Sequence, residues 1–188
     1  MKYDKSSLRS KFLLKRKKNY LKVKKFNFNL IFKFINTHFK KKKITIAGYF
    51  PSIYEANIVN FLEEASKKNF KIVLPVIKSP RNMCYKLWVY QEPLFVSKFG
   101  ILEPKKSKIE ITPDLILVPL VAYDKYLNRI GYGKGYYDRS LAKVKKIKKK
   151  VISMGIAYTF QKSEIIPTNK NDFKLDYILT ERGIINSN

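Results

Sequence analysis

Residues 44–75, ITIAGYFPSIYEANIVNFLEEASKKNFKIVLP, decide the fold class. Ile44-Thr-Ile-Ala-Gly-Tyr-Phe50 reads as a strand that stops at Pro51, and Lys71-Ile-Val-Leu-Pro75 as a second short strand. Between them Ile58, Phe61, Leu62 and Ala65 recur at the spacing of one helix face, and Ser52 stands where it can cap that helix. Strand, loop, helix and strand within about thirty residues is the length of a βαβ unit, so a parallel sheet is expected. Three more apolar runs extend the pattern: Asp114-Leu-Ile-Leu-Val-Pro119, Val151-Ile-Ser-Met-Gly-Ile-Ala-Tyr158 and Asp176-Tyr-Ile-Leu-Thr180. The expected architecture is α/β, a three-layer single domain over 1–188 with a mainly parallel, Rossmann-like central sheet. The first forty residues read as a basic, N-terminal helical element in which Leu30, Ile31, Phe34, Ile35 and Phe39 form an apolar stripe. Met83 to Tyr90 alternates loosely enough for a strand, and Phe99-Gly-Ile-Leu-Glu-Pro104 is turn-rich.

After the 114–119 strand comes Arg129-Ile-Gly-Tyr-Gly-Lys-Gly-Tyr-Tyr-Asp-Arg139. Gly131, Gly133 and Gly135 fall at every second position, where a side chain would block positive φ and hold a ligand off the backbone. Bare successive N–H groups make an anion-binding concavity, and Lys134 with the flanking arginines adds charge. The loop leaves the C-terminal end of a strand, the place where α/β sheets bind ligands. Neither G-x-x-x-x-G-K-[ST] nor G-x-G-x-x-G is present. The bland alternative is a Gly-rich turn held by its own tyrosines; a phosphate site explains the Lys, Arg and Asp as well.

A chain of 188 residues, 45% hydrophobic and 14% aromatic, can bury a substantial core. Its net charge of +26 invites a nucleic-acid reading. Against it, the basic residues are spread over the whole length, and all but Arg9, Arg16, Arg81, Arg129, Arg139 and Arg182 are lysine. Phosphate and base recognition leans on the arginine fork. Solvated charge, attraction of an anionic substrate and single-strand binding with the tyrosines stacking bases all remain open readings. The Lys145–Lys150 cluster reads as an exposed turn. Cys84 is alone, which rules out a disulfide framework. No run of 18 apolar residues occurs and no secretory pattern opens the chain, so a cytoplasmic protein without a membrane span is expected.

One histidine and one cysteine exclude most triad and zinc chemistry. What remains is oxygen and lysine chemistry around phosphates. Mg²⁺ takes one or two carboxylates plus phosphate oxygens and water. Asp138 is one candidate ligand, and Asp172, in a polar loop where a turn role is also natural, is a second. Lys5 and Arg9, four residues apart on the first helix, can reach the same phosphates.

Together these residues resemble the 5-formyltetrahydrofolate cyclo-ligase family, also called methenyltetrahydrofolate synthetase. The likeness runs through Lys5-Ser-Ser-Leu-Arg9, Glu55, Gly100-Ile-Leu-Glu-Pro104, Asp114 to Pro119, Asp124, Asn128 to Asp138, Ile166-Pro167, Asn171-Asp172 and Leu175-Asp176. It implies ATP contacts from Lys5, Arg9, Arg129, Ile130, Gly131, Tyr132, Gly133, Lys134, Gly135, Tyr136 and Tyr137, with Lys134 and Arg129 as catalytic groups. It implies Mg²⁺ on Asp138 and Asp172. It implies folate contacts from Tyr49, Phe50, Glu55 and Tyr132 to Tyr136, with Trp88 a further candidate wall for the flat rings. The implied reaction is ATP-dependent closure of 5-formyltetrahydrofolate to 5,10-methenyltetrahydrofolate; a monomer is expected, and the lysines would attract a polyglutamate tail on the folate. The chain departs from the family pattern at Pro119-Leu120, where Pro-Gly is usual, and at Tyr123, where Phe is common.

Overall fold

The 114–119 run alternates its side chains between two cores, which is how a strand buried on both faces reads as continuously apolar. Leu115 and Leu117 belong to one core and Ile116 and Val118 to the other. The structure, a computed structural model, describes residues 4–22, 25–40, 42–52, 54–104 and 109–187. Residues 1–3 and 23–24 of the expected helical region lie outside that set.

In chain order, helix α1 spans Lys5–Asn19, followed by a 3₁₀ turn at Tyr20–Lys22, and α2 spans Asn29–His38. Asp4 caps α1 by accepting the Ser7 N–H at 2.7 Å. Strand β1 is Thr45–Ala47, α3 Val59–Lys67, β2 Lys71–Ser79 and β3 Asn82–Leu87. Two-residue strands β4 (Phe95–Val96) and β5 (Leu102–Glu103) pair as a small ribbon. Strand β6 is Leu115–Pro119, β7 Ala122–Tyr123, β8 Arg129–Ile130 and α4 Tyr136–Ile147. Then come β9 (Ile152–Ile156), a 3₁₀ turn at Thr159–Gln161, β10 (Tyr177–Thr180) and β11 (Gly183–Asn186).

Seven strands, in the order β11-β10-β9-β6-β1-β2-β3, make one sheet among the described residues. Pairings β10–β9, β9–β6, β6–β1 and β1–β2 are parallel, and the two outer strands are antiparallel. On one face Ile31, Phe34 and Ile35 of α2 and Phe61, Leu62 and Ala65 of α3 cover Ile46, Ile72, Leu74, Leu117 and Ile156. On the other, Leu141 and Val144 of α4 cover Ala47, Val73, Ile116, Val118 and Ile178. Each Ile, Leu, Val or Phe among them contributes about 1.5–3 kcal/mol when fully buried. The expected three-layer, mainly parallel sheet is what forms.

The details differ in three places. Strand β2 runs on to Ser79 past Pro75, because parallel partner β1 pairs only as far as Val73 and β3 supplies the antiparallel ladder beyond. Ser52 caps nothing: α3 starts at Val59, whose N–H bonds Asn57 Oδ1 at 2.9 Å, while the Ser52 N–H bonds Glu55. The Lys145–Lys150 cluster is not uniformly exposed. Lys145 pairs with Asp176 at 2.8 Å and Lys148 with Asp114 at 2.5 Å, which leaves Lys146, Lys149 and Lys150 as the exposed members.

The chain passes from β1 outward to β2, then returns to place β6 on the other side of β1 and continues outward to β9 and β10. The sheet order therefore reverses between β1 and β6. A crevice opens outside the carboxyl ends of strands at such a point. The segments leaving those two strands are Gly48 to Ser52 and the path from Pro119 to the glycine loop.

Candidate active site

Between β6 and α4 the chain folds back on itself before the glycines, and buried polar side chains shape that path. Gln161, 2% exposed, donates Nε2 to the Leu120 and Val121 carbonyls at 2.9 and 3.0 Å. Asp124, fully buried, accepts the N–H groups of Tyr126, Asn128 and Ile166 and the Asn128 side-chain amide, all within 3.1 Å. A buried carboxylate with four donors is satisfied and immobile. It closes the β7–β8 hairpin, which sets Arg129 and Ile130 in a strand rather than in the loop. Leu8 and Phe12 of α1 pack on that hairpin against Val121, Ala122 and Ile130. Leu120 fits because β9 offers Gly155 beside its side chain. A Cβ there would come within 2.7 Å of a Leu120 methyl.

The loop itself uses its glycines unequally. Gly133 and Gly135 have φ of +95° and +64°, a region that side chains other than glycine enter only with strain. Gly131 does not share it, so the expectation that all three need positive φ is corrected. Helix α1 lies against the loop by a face of residues four and seven apart. Arg9 Nε donates to the Gly131 carbonyl at 2.8 Å, and its guanidinium carbon would stand 3.3 Å from a Cβ on Gly133. Lys5 pairs with Asp172. Arg16 Nη2 donates to the Tyr132 hydroxyl at 2.6 Å. Arg139 braces the loop from beyond, with Nη2 2.8 Å from the Lys134 carbonyl and Nε 3.0 Å from the Arg81 carbonyl.

Asp138 sits in the first turn of α4 and takes Arg129 Nη1 at 2.9 Å and the Phe173 N–H at 3.0 Å on the same oxygen. Arg129 is 7% exposed, and burial pushes its guanidinium down while Asp138 and Asp172 pull it up. Its Nε is buried without a partner among the described residues. Asp172 accepts from Lys5 and, at 2.6 Å, from the Asn169 N–H, again on one oxygen.

Across the crevice, Tyr49 and Phe50 follow β1. Tyr49 donates its hydroxyl to the Ala56 carbonyl at 2.8 Å. Glu55, 5% exposed, accepts the Tyr132 hydroxyl at 2.5 Å and the Ser52 N–H at 2.6 Å. Burial first, and then the charge of Glu55, pushes the Tyr49 phenol well up and Tyr132 up to about 12; burial with Tyr85 and Glu55 raises Tyr137 too. All three therefore remain protonated donors at neutral pH. One cavity of about 1290 Å³ is lined by Lys5, Arg9, Tyr49, Phe50, Glu55, Arg129 through Asp138 and Asp172. That is more than the roughly 300–1,000 Å³ of a usual single-ligand pocket. With one exception, every residue singled out from the sequence for nucleotide, folate or metal therefore meets in one place. The exception is Trp88, which is buried in the core that α2 and α3 cover, with Nε1 donating to the Glu92 carbonyl. Its place as an apolar wall is taken by Ile77, Met83, Phe99, Ile101 and Leu102. His38 is stacked on Phe34 and bonded to Tyr177, a core-edge histidine.

The 5-formyltetrahydrofolate cyclo-ligase family matches residues 1–181 of this chain. The chain belongs to that family. It is 33% identical over 140 residues to the 5-formyltetrahydrofolate cyclo-ligase of Haemophilus influenzae, covering 71% of this chain and 74% of that one. The Escherichia coli K12 enzyme of the same name is 28% identical, over 72% and 77% of the two chains. Among solved structures, the NMR structure of Aquifex aeolicus 5,10-methenyltetrahydrofolate synthetase superposes with a TM-score of 0.73 at 29% identity, covering 97% of this chain and 92% of that one. The corresponding synthetase from Mycoplasma pneumoniae gives 0.66 at 27%, covering 99% and 100%.

For a cyclo-ligase the metal question can be put to the residues present. Among the described residues no three His, Cys, Asp or Glu gather as a ready metal cage. Asp138 and Asp172 face one cavity, and each has an oxygen with no donor on it among the described residues. Two carboxylates completed by phosphate oxygens and water suit Mg²⁺, which keeps much of its hydration. The residues fit the ion. Arg16 and Arg81 are the site arginines that no local motif marks, although Arg16 follows Lys5, Arg9 and Phe12 at helical spacing.

Proposed function

We propose that this chain converts 5-formyltetrahydrofolate to 5,10-methenyltetrahydrofolate with ATP as phosphoryl donor, releasing ADP and phosphate. The observation that carries the reading is a single cavity with an amide-rich, basic loop on one side and an aromatic slot with a buried carboxylate on the other. A nucleotide and a folate can be held there together. The flat pterin and aminobenzoyl rings lie against Tyr49, Phe50 and Tyr132. The triphosphate lies along Gly131–Gly135, within reach of Lys5, Arg9, Arg129 and Lys134, with Ile130, Tyr136 and Tyr137 shaping its bed.

The formyl oxygen on N5 takes the γ-phosphoryl group, which makes the formyl carbon electrophilic. N10 then attacks that carbon, the C–O bond breaks, phosphate leaves and N10 gives up its proton. Little covalent chemistry falls to the protein in phosphoryl transfer; it aligns the oxygen with phosphorus and meets the charge that develops. Loop N–H groups and the Lys134 ammonium do the latter. Arg129, held by Asp138, keeps its buried charge directed at the same point. Mg²⁺, on Asp138 and Asp172, would neutralise phosphate charge when bound. Asp138→Asn keeps the acceptor for Arg129 and Phe173 but removes the charge a hard cation needs. Turnover is expected to fall at least about tenfold, about 1.4 kcal/mol, with partial recovery at raised Mg²⁺. A wild-type rate with unchanged Mg²⁺ dependence would take Asp138 out of the metal site.

The direct test is ATP-dependent growth of methenyltetrahydrofolate absorbance from 5-formyltetrahydrofolate, with ADP released in equal amount. No growth with ATP and Mg²⁺ present would end the reading. Single-strand nucleic-acid binding gains nothing from the family match, and the cavity suits it poorly: Glu55, Asp138 and Asp172 line it, and Arg9, Arg16 and Arg129 are bonded to protein groups. The lysine surface acts at most by attracting a polyglutamate tail. Replacing Lys146, Lys149 and Lys150 by Gln, which leaves the Asp176 and Asp114 pairs intact, is expected to keep activity on the monoglutamate within about twofold. A larger loss would make the surface charge part of catalysis. No helix among the described residues is long and apolar enough to cross a membrane, and a monomer working in the cytoplasm is the setting we propose.

A further inference from the structure

We infer that Arg16, which lies outside the cavity, is a positioning residue for the folate half of the site, acting through Tyr132 on Glu55. The inference rests on the substrate reading proposed above. Arg16 is on the last turn of α1, 3% exposed, and is not among the residues that line the cavity. Its Nη2 donates to the Tyr132 hydroxyl at 2.6 Å, and its guanidinium carbon stands 5.5 Å from the centre of the same ring.

The guanidinium sets the direction of this contact. It has no acceptor, so the Tyr132 oxygen must accept from Arg16. The hydroxyl hydrogen then has to point elsewhere, and Glu55 Oε1 lies 2.5 Å away. Glu55 Oε2 takes the Ser52 N–H at 2.6 Å. The chain Arg16 to Tyr132 to Glu55 has one polarity, with the Ser52 side chain a further hydrogen-bonding neighbour of the phenol. Burial and Glu55 push the phenol up to about 12, so it stays a donor through neutral pH.

What makes this more than a buried ion arrangement is where Tyr132 stands. It lies between Gly131 and Gly133 and is 45% exposed, on the cavity wall. Flanking glycines give its backbone wide freedom, so an unheld ring would sample several directions. Arg16 holds it from behind by a hydrogen bond and a cation–π contact at once, which the planar fork allows and a lysine does not. Seven residues earlier on α1, Arg9 fastens the Gly131 carbonyl of the same loop. Seven residues are about two helical turns. One helix therefore braces the loop at two points, the phosphate bed through Arg9 and the ring slot through Arg16.

The test compares Arg16→Met, Arg16→Lys, Tyr132→Phe and the double variants with Tyr132→Phe, reading KM for each substrate separately. Arg16→Met is expected to raise KM for 5-formyltetrahydrofolate about tenfold, several times more than any rise for ATP. Arg16→Lys should show about a threefold rise. In the Tyr132→Phe background neither Arg16 change should add more than about twofold, because both act through a hydroxyl already gone. In ligand-free protein, 3-fluorotyrosine placed at position 132 should give one narrow fluorine resonance that shifts or broadens when Arg16 is changed. The inference is overturned if the KM values for both substrates rise together, if the effects multiply in the double variants, or if the resonance does not move. Should the Met variant fail to fold, the Lys variant carries the same comparison. Absence of turnover in the wild-type protein would instead remove the substrate reading, and the fluorine resonance would still decide whether Arg16 holds Tyr132.

Discussion

Lys134→Met is expected to lower kcat by at least about a hundredfold, about 2.7 kcal/mol, the usual loss when one charge-stabilising donor is removed from a preorganised site. The backbone around Lys134 is fixed: Gly133 and Gly135 on either side are left-handed, and the Lys134 carbonyl is held by Arg139 at 2.8 Å. Its ammonium is not spent on the protein, for it forms no ion pair among the described residues, unlike Lys5, Lys145 and Lys148. A charge so placed at the cavity wall is available to the phosphoryl group that the proposed reaction would transfer there. Methionine keeps the length of the stem and removes only the charge. Steady-state rates at saturating ATP and folate, with circular dichroism to confirm the fold, decide the matter. A kcat within about threefold of wild type would show that Lys134 is a bystander, and the Lys146, Lys149 and Lys150 variant supplies the comparison for charge lost elsewhere.

The sheet is legible where burial on both faces leaves an uninterrupted apolar run, as at β6 and β9, and where helical spacing separates two such runs, as around α3. It is not legible at β7 and β8. Two residues each, one of them Arg129, carry no periodicity; Asp124 closes the turn between them, while Gln161, far along the sequence, holds the Leu120 and Val121 carbonyls that lead into β7. The length of β2 is hidden for a related reason: Pro75 argues for a stop, and only the sheet order shows that the parallel neighbour has already ended there.

The glycine loop is legible because its residues are contiguous. Of the parts that meet it from afar, Lys5, Arg9 and Asp172 are legible by their chemistry, while Arg16 and Arg81 are marked only by a physical signal. In a chain whose positive charge is almost all lysine, arginine stands where a planar fork has work to do. Arg9, Arg81, Arg129 and Arg139 line the cavity and Arg16 backs it, so five of the six arginines are at the site. Trp88 shows the opposite error, since a lone large aromatic looks like a ligand platform yet fills the core that α2 and α3 cover.

Gly133→Val is expected to weaken ATP binding at least about a hundredfold, again about 2.7 kcal/mol, whereas Gly131→Ala should stay within about threefold of wild type. The two positions look alike in sequence and differ in space. At Gly133 φ is +95°, where an L side chain is strained by roughly 1–2 kcal/mol or more and a β-branched one by most. A Cβ there would also approach the Arg9 guanidinium carbon to 3.3 Å. Arg9 cannot simply step aside, because its Nε holds the Gly131 carbonyl. Strain, displacement of Arg9 and a methyl pair over the phosphate bed therefore act together. At Gly131 a Cβ meets nothing within 4 Å and φ is ordinary, so alanine costs neither strain nor contact. Calorimetric titration of both variants with ATP and Mg²⁺, on protein of unchanged circular dichroism, separates the cases. Equal losses at the two positions would mean that crowding of the cavity, rather than the backbone conformation at Gly133, governs the site. Normal affinity in Gly133→Val would remove the loop from phosphate binding altogether.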